Sequence, residues 1–172
     1  MDLAVAGSNP VSHPNPLSAR PTGDATRGVE GPRVNHLLDT ATWANSVTMP
    51  EVLPARVRTI LGRAHQVKGL SSVSLLECAL QHRRGRLEFR GNLRDFFAAG
   101  LARDIELVEV TPDIAVATND LPPEFPGDPF DRTIAATARV LNLTLITADP
   151  VLRDARFCRV EYYPFRPSRV KG

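Results

Sequence analysis

A chain of 172 residues with 42% hydrophobic composition can bury one core and has little room for a second domain. Its formal charge of +2 is too mild to demand a nucleic-acid partner, and its two cysteines, Cys78 and Cys158, fall short of a disulfide framework and have no zinc or redox spacing. No apolar run is long enough to span a bilayer and no basic start precedes an apolar signal segment, so a cytoplasmic setting and no membrane partner are expected.

Residues 1–33 hold five Pro, four Gly and three Ser and no Phe, Trp, Tyr or Ile. Such a segment cannot offset its ordering entropy by burial, which predicts a flexible extension ahead of a domain over 34–163, with a basic tail at 164–172. Val34 to Asp39 reads as a first strand, its consecutive Leu37 and Leu38 suiting a sheet covered on both faces. Ala41 to Val47 is a short helix stopped before Met49-Pro50, and Leu53, Val57, Ile60, Leu61 and Ala64 recur at helical spacing. Leu70 to Val73 reads as a strand running into Ser74, a candidate cap for a helix with Leu75, Leu76, Ala79 and Leu80 on its inner face. Leu93, Phe96, Phe97 and Leu101 define a further helix, Ile105 to Val110 alternates as a strand, and Thr111 caps a short helix. Pro129 opens a helix whose face is Phe130, Ile134, Ala138 and Leu141, followed by strands at 143–147 and 159–162. Strands alternating with helices predict an α/β fold, a mostly parallel central sheet between helical layers.

Acids stand at the exits of these elements: Asp39 after the first strand, Glu77 one turn into a helix, Asp128 and Asp131 at a helix start, and Asp149 after the strand at 143–147. In open parallel sheets the functional crevice lies beyond the carboxyl ends of the strands. Carboxylates gathered there raise one another's pKa unless Mg²⁺ or Mn²⁺ supplies counter-charge, and oxygen-bound cations of this kind handle phosphates. Each acid also has a structural reading: Asp128 as a helix cap, Glu77 with Ser74 as a capping box, and Asp149 before Pro150 as a turn. Asp39 has no such duty. His13, His36, His65 and His82 show no metal or triad spacing, and Trp43, Tyr162 and Tyr163 read as core or interface residues.

Leu37-Leu38-Asp39-Thr40, Ser71 to Ala79, Arg83-Arg84-Gly85-Arg86-Leu87, Asp128-Pro129-Phe130-Asp131-Arg132 with Ile134-Ala135 following, and Thr147-Ala148-Asp149 occur in an order and spacing that resembles the PIN-domain ribonucleases, in particular the VapC group of toxins from type II toxin–antitoxin pairs. The resemblance implies a PIN-like three-layer α/β/α fold and a Mg²⁺-dependent (or Mn²⁺-dependent) endoribonuclease. It implies Asp39, Glu77, Asp131 and Asp149 as the catalytic, metal-binding acids, Asp128 as an accessory acid, and Thr40 and Thr147 as hydroxyls that orient a carboxylate or water. Ala41 departs from the pattern, since many relatives carry a larger polar residue there. Arg132 is expected either to neutralise the acids or touch a phosphate, or to stand as an exposed helix arginine, and Arg83, Arg84 and Arg86 either to suit the helix dipole and the solvent or to cradle an RNA backbone. The resemblance further implies an RNA substrate, an antitoxin that lays a basic side chain into the acidic pocket, and a homodimer. The alternatives are a catalytically silent PIN scaffold that binds protein or RNA, and a phospho-acceptor using Asp39. The latter chemistry wants a second acid at position 41, which is Ala.

Overall fold

The computed structural model describes residues 34–165 except 65, 103 and 126. The extension at 1–33, most of the tail at 164–172, His13 and His65 therefore lie outside the described residues.

Five strands form one sheet in the order β3-β2-β1-β4-β5, with every neighbouring pair parallel. They are β1 (His36–Leu38), β2 (Lys68–Ser71), β3 (Ile105–Val108), β4 (Thr144–Thr147) and β5 (Arg159–Tyr162). The helices are α1 (Thr40–Thr48), α2 (Ala55–Leu61), α3 (Ser72–Arg83), α4 (Leu93–Leu101), α5 (Pro112–Asn119), α6 (Pro129–Val140) and α7 (Pro150–Asp154), with a 3₁₀ turn at Pro50–Val52. The expected "mostly parallel" sheet is thus parallel throughout.

The paired leucines of β1 explain the two layers. Leu37 packs in a cluster with Ile134, Ala135 and Ala138 of α6 and with Leu145. Leu38 points the other way, into a cluster with Trp43, Leu53, Leu70 and Phe96. A β-strand that sends successive side chains to opposite faces needs both to be apolar when both faces are covered. Trp43 is fully buried, its ring edge-on to Phe96 at 5.3 Å and its Nε1 donating to Gly100 O at 3.3 Å. Tyr163 is core as well, its hydroxyl paired with Thr42 Oγ1 at 3.0 Å.

Two sequence expectations need correction. The helix expected to start at Ser74 begins at Ser72, with Ser71 as its N-cap residue and Val73 inside the helix instead of the strand. Its fully buried residues are Ser74 and Cys78; Leu75 packs against the Trp43 cluster as expected, whereas Leu76 is exposed. Lys68 is a finding that sequence reasoning did not anticipate. Fully buried in β2, it donates from Nζ to Leu61 O (2.9 Å) and Arg63 O (3.1 Å), satisfying carbonyls at the end of α2.

Candidate functional site

Strand register sets the site. Leu38 lies opposite Leu70 on one side and Ile146 on the other, so the next residues, Asp39, Ser71 and Thr147, come to the same carboxyl edge of the three central strands. The Asp39 N–H continues the ladder by donating to Ile146 O at 3.0 Å. Asp39 is only 6% exposed, which makes its carboxylate an expensive group to leave without partners.

Thr147 provides one partner. Its Oγ1 donates to Asp39 Oδ2 at 2.7 Å and accepts from the Asp149 N–H at 2.9 Å, so a single buried hydroxyl fixes both the Asp39 rotamer and the backbone that carries Asp149. Asp149 Oδ1 accepts from Val151 N at 2.7 Å and caps α7. Asp128 caps α6 in the same manner, its Oδ1 accepting from Phe130 N (2.8 Å) and Asp131 N (3.2 Å). The capping readings of Asp128 and Asp149 and their place near the other acids are therefore compatible: one oxygen holds the helix start and the other remains available.

Glu77 lies in the second turn of α3 and is not the partner of a capping box, since the cap residue is Ser71. Ser74 instead meets Thr40, whose Oγ1 donates to Ser74 Oγ at 2.9 Å in the buried seam between α1 and α3. Burial raises the Glu77 pKa and Asp128 adds to the effect, while the polar side chains of Thr40 and Gln81 beside it pull it back. Burial also pushes Asp39 up to about 6, with Glu77 and Asp149 reinforcing it and Thr147 opposing it. Asp131 is pushed up to about 7, first by burial and then by Asp39, Asp128, Glu77 and Asp149. The five acids are thus near enough to resist one another's ionisation, and the charges acting on Asp131 are all carboxylates.

Other candidates sit apart. Arg132 does not face the acids: its guanidinium donates to Phe125 O, Thr118 O and Leu121 O and lies 5.7 Å from the Phe125 ring centre, binding the α5–α6 connection to α6. Arg83, Arg84 and Arg86 are exposed at the far end of α3. Ser71, Ser74 and Gln81 are site neighbours to which sequence reasoning gives no place at the acid edge, Ser74 reading there as a helix cap. Ser71 Oγ is fully buried with no hydrogen-bond partner among the described residues, and its strand register sets it across β1 from Thr147. The sequence signal for Ser71 and Ser74 is the serine-rich stretch Ser71-Ser72-Val73-Ser74 that follows an apolar strand.

The donor set fits a hard divalent cation: carboxylate and hydroxyl oxygens, without sulfur or imidazole, and an accumulation of negative charge that a cation would relieve. Among the described residues no three of the acids converge on a ready-made cage.

The sequence profile of the PIN domain matches residues 37–157. Ribonuclease VapC22 of Mycobacterium tuberculosis is 44% identical over 59 residues, a match that takes in 34% of this chain and 45% of that protein. The chain thus aligns with under half the length of this curated relative. Among solved structures, VapBC2 from Rickettsia felis bound to a promoter DNA fragment superposes with a TM-score of 0.59 at 16% identity, covering 75% of this chain and 98% of that one. DNA-bound VapBC from Salmonella typhimurium gives 0.58 at 18% identity, covering 76% and 98%. FitAB bound to a DNA fragment gives 0.52 at 19% identity, over 78% and 99%. At these identities the structures speak for the fold.

Proposed function

The chain belongs to the PIN domain family, and on that premise we propose that it is a Mg²⁺-dependent endoribonuclease serving as the toxin of a type II toxin–antitoxin pair. The observation that carries this reading is the gathering of acids at one sheet edge, where Thr147 ties Asp39 to the Asp149 backbone and where burial and four other acids push the Asp131 pKa up. A protein gains nothing in stability from such a cluster, whereas a phosphodiester hydrolase needs one.

Asp39, Glu77, Asp131 and Asp149 would hold the cation. When bound, Mg²⁺ would polarise the phosphodiester and lower the pKa of water so that hydroxide is available at neutral pH. The chain's own groups prepare that step. Thr147 keeps Asp39 in one orientation and fixes the Asp149 backbone at the same time. Asp128 and Asp149 are each immobilised on a helix start, so the acids approach substrate from rigid elements. Burial and the neighbouring acids favour the protonated form of Asp131, and a bound cation would favour its ionised form. Water attack would leave a 5′-phosphate and a 3′-hydroxyl.

The VapBC likenesses support an antitoxin partner, and the acid edge is complementary to a Lys or Arg that such a partner could insert to keep the cation out. A homodimer and a cytosolic setting, in which Cys78 and Cys158 stay as free thiols, belong to the same reading. The experiment is cleavage of single-stranded RNA by purified protein freed of any partner. Activity is expected with Mg²⁺ and lost in chelator, and Asp39→Asn should abolish it while the circular dichroism spectrum and cooperative melt are retained. Cleavage at the parent rate by Asp39→Asn would overturn the assignment.

A further inference from the structure

Arg83, Arg84, Arg86, Arg90 and Arg94 crowd into the twelve residues from the end of α3 to the first turn of α4. All five are exposed and none forms an ion pair among the described residues. Only Glu88 and Asp95 dilute the charge, and Asp95 is engaged by Asn92 Nδ2 at 2.7 Å. Arg83, in the last turn of α3, suits the helix dipole. Arg94 does the reverse, placing a cation in the first turn of α4 where an anion is favoured. An exposed run of one sign is complementary to a polyanion.

The connection that carries them is built firmly. Gly85 takes a φ of 67°, its N–H donating to His82 O and that of Arg86 to Gln81 O, each at 2.9 Å, which closes α3 with a Schellman turn. The return path is fixed by stacking, with His82 on Phe89 at 4.5 Å and Phe89 on Phe96 at 4.4 Å. The arginines are therefore exposed side chains on a fixed corner.

That corner is linked to the acids along one helix face. Glu77, Gln81 and Arg84 stand at i, i+4 and i+7 of α3, Gln81 lying beside Glu77, and Arg84 lies about 10 Å along the axis from the acid. We propose that the arginine-rich α3–α4 connection is the docking surface for the phosphate backbone of single-stranded RNA, which leaves the acid edge along the Glu77–Gln81–Arg84 face and turns over Arg86, Arg90 and Arg94. This rests on the nuclease reading above and names how its substrate is held. A path that turns at Gly85 suits a single strand, since a duplex is stiff over this length.

The test uses the full chain carrying Asp39→Asn, so that RNA is bound and not cut, and a fluorescent oligouridylate of about twelve nucleotides. Changing Arg84, Arg86, Arg90 and Arg94 together to Gln should weaken binding about ten-fold or more at low salt, and flatten the salt dependence by about 0.7 in log–log slope for each phosphate that is no longer neutralised. Single Arg84→Gln and Arg90→Gln variants, exposed changes that spare the fold, should each remove about one such step. In protein with Asp39 intact, the same changes should raise KM and leave kcat near the parent value. Unchanged affinity and slope would overturn the proposal, as would displacement of the RNA by polyglutamate as readily as by unlabelled RNA, which would make an acidic peptide the occupant. Cleavage that ignores these arginines sinks this inference alone, while arginine-dependent binding without Mg²⁺-dependent cleavage sinks the catalytic assignment alone.

Discussion

Replacing Asp131 by Asn should stabilise the metal-free protein at neutral and alkaline pH. Burial and four neighbouring acids push this carboxyl from its ordinary 3.8 to about 7. A ten-fold change in proton affinity is worth about 1.4 kcal/mol, so a carboxyl displaced this far costs the folded state at most about 4 kcal/mol when ionised. Partial exposure and relaxation of the neighbouring acids reduce the recoverable part to about 2 kcal/mol, roughly 6 °C in Tm for a domain of this size. The folded state binds the proton more tightly than the unfolded chain, so the penalty is absent below 3.8, grows as pH rises and is complete above about 7. Urea unfolding in chelator, followed by circular dichroism at about pH 5 and about pH 8, should show the variant clearly ahead at the higher pH and the two proteins converging at the lower. Mg²⁺ should then raise the stability of the parent far more than that of the variant, since binding to the folded state is linked to its stability. An Asn variant less stable than its parent at about pH 8 in chelator would refute the reasoning, as would a gain of equal size at both pH values.

Thr147→Val keeps the volume but removes the hydroxyl shared by Asp39 and the Asp149 N–H; it should cost about 1–3 kcal/mol in stability and raise the Mg²⁺ concentration for half-maximal cleavage about ten-fold or more, and an unchanged Mg²⁺ midpoint would count against a positioning role. Gly100→Ala should destabilise by about 1–3 kcal/mol in a chemical unfolding curve, because its Cβ would stand 2.4 Å from Trp43 Cζ2 and the ring is locked against Phe96, whereas a neutral result would mean that α4 can slide outward.

Much of the edge is legible in the chain. Asp39 follows two leucines that both have to be buried, and an acid there has no turn or cap to serve, so its exit position can be read directly. Asp128 before Pro129 announces a helix start, and the structure shows it capping α6. The start of α3 is not legible, because Ser71, Ser72 and Ser74 are all competent caps; pairing of Leu70 with Leu38 decides the matter, and that pairing is non-local. The same limit hides Lys68, since lysine is among the residues least often buried and the carbonyls it reaches lie on another element. Arg132 beside Asp131 invites an electrostatic pairing, yet adjacent residues on a helix point in different directions. Its guanidinium turns to the carbonyls of the preceding connection.

The bond from Thr147 to Asp39 joins residues 108 apart, across the pairing of β1 with β4 at the centre of the sheet. Contacts of such separation form late, after the local helices, because a long loop must be closed before they repay it. On the ribosome, a chain whose synthesis has stopped before β4 has Asp39 and Glu77 but neither Asp149 nor the hydroxyl that orients Asp39. On the function proposed above, the edge would be able to hold a cation only once β4 and Asp149 had been made, and an interrupted product would lack the activity.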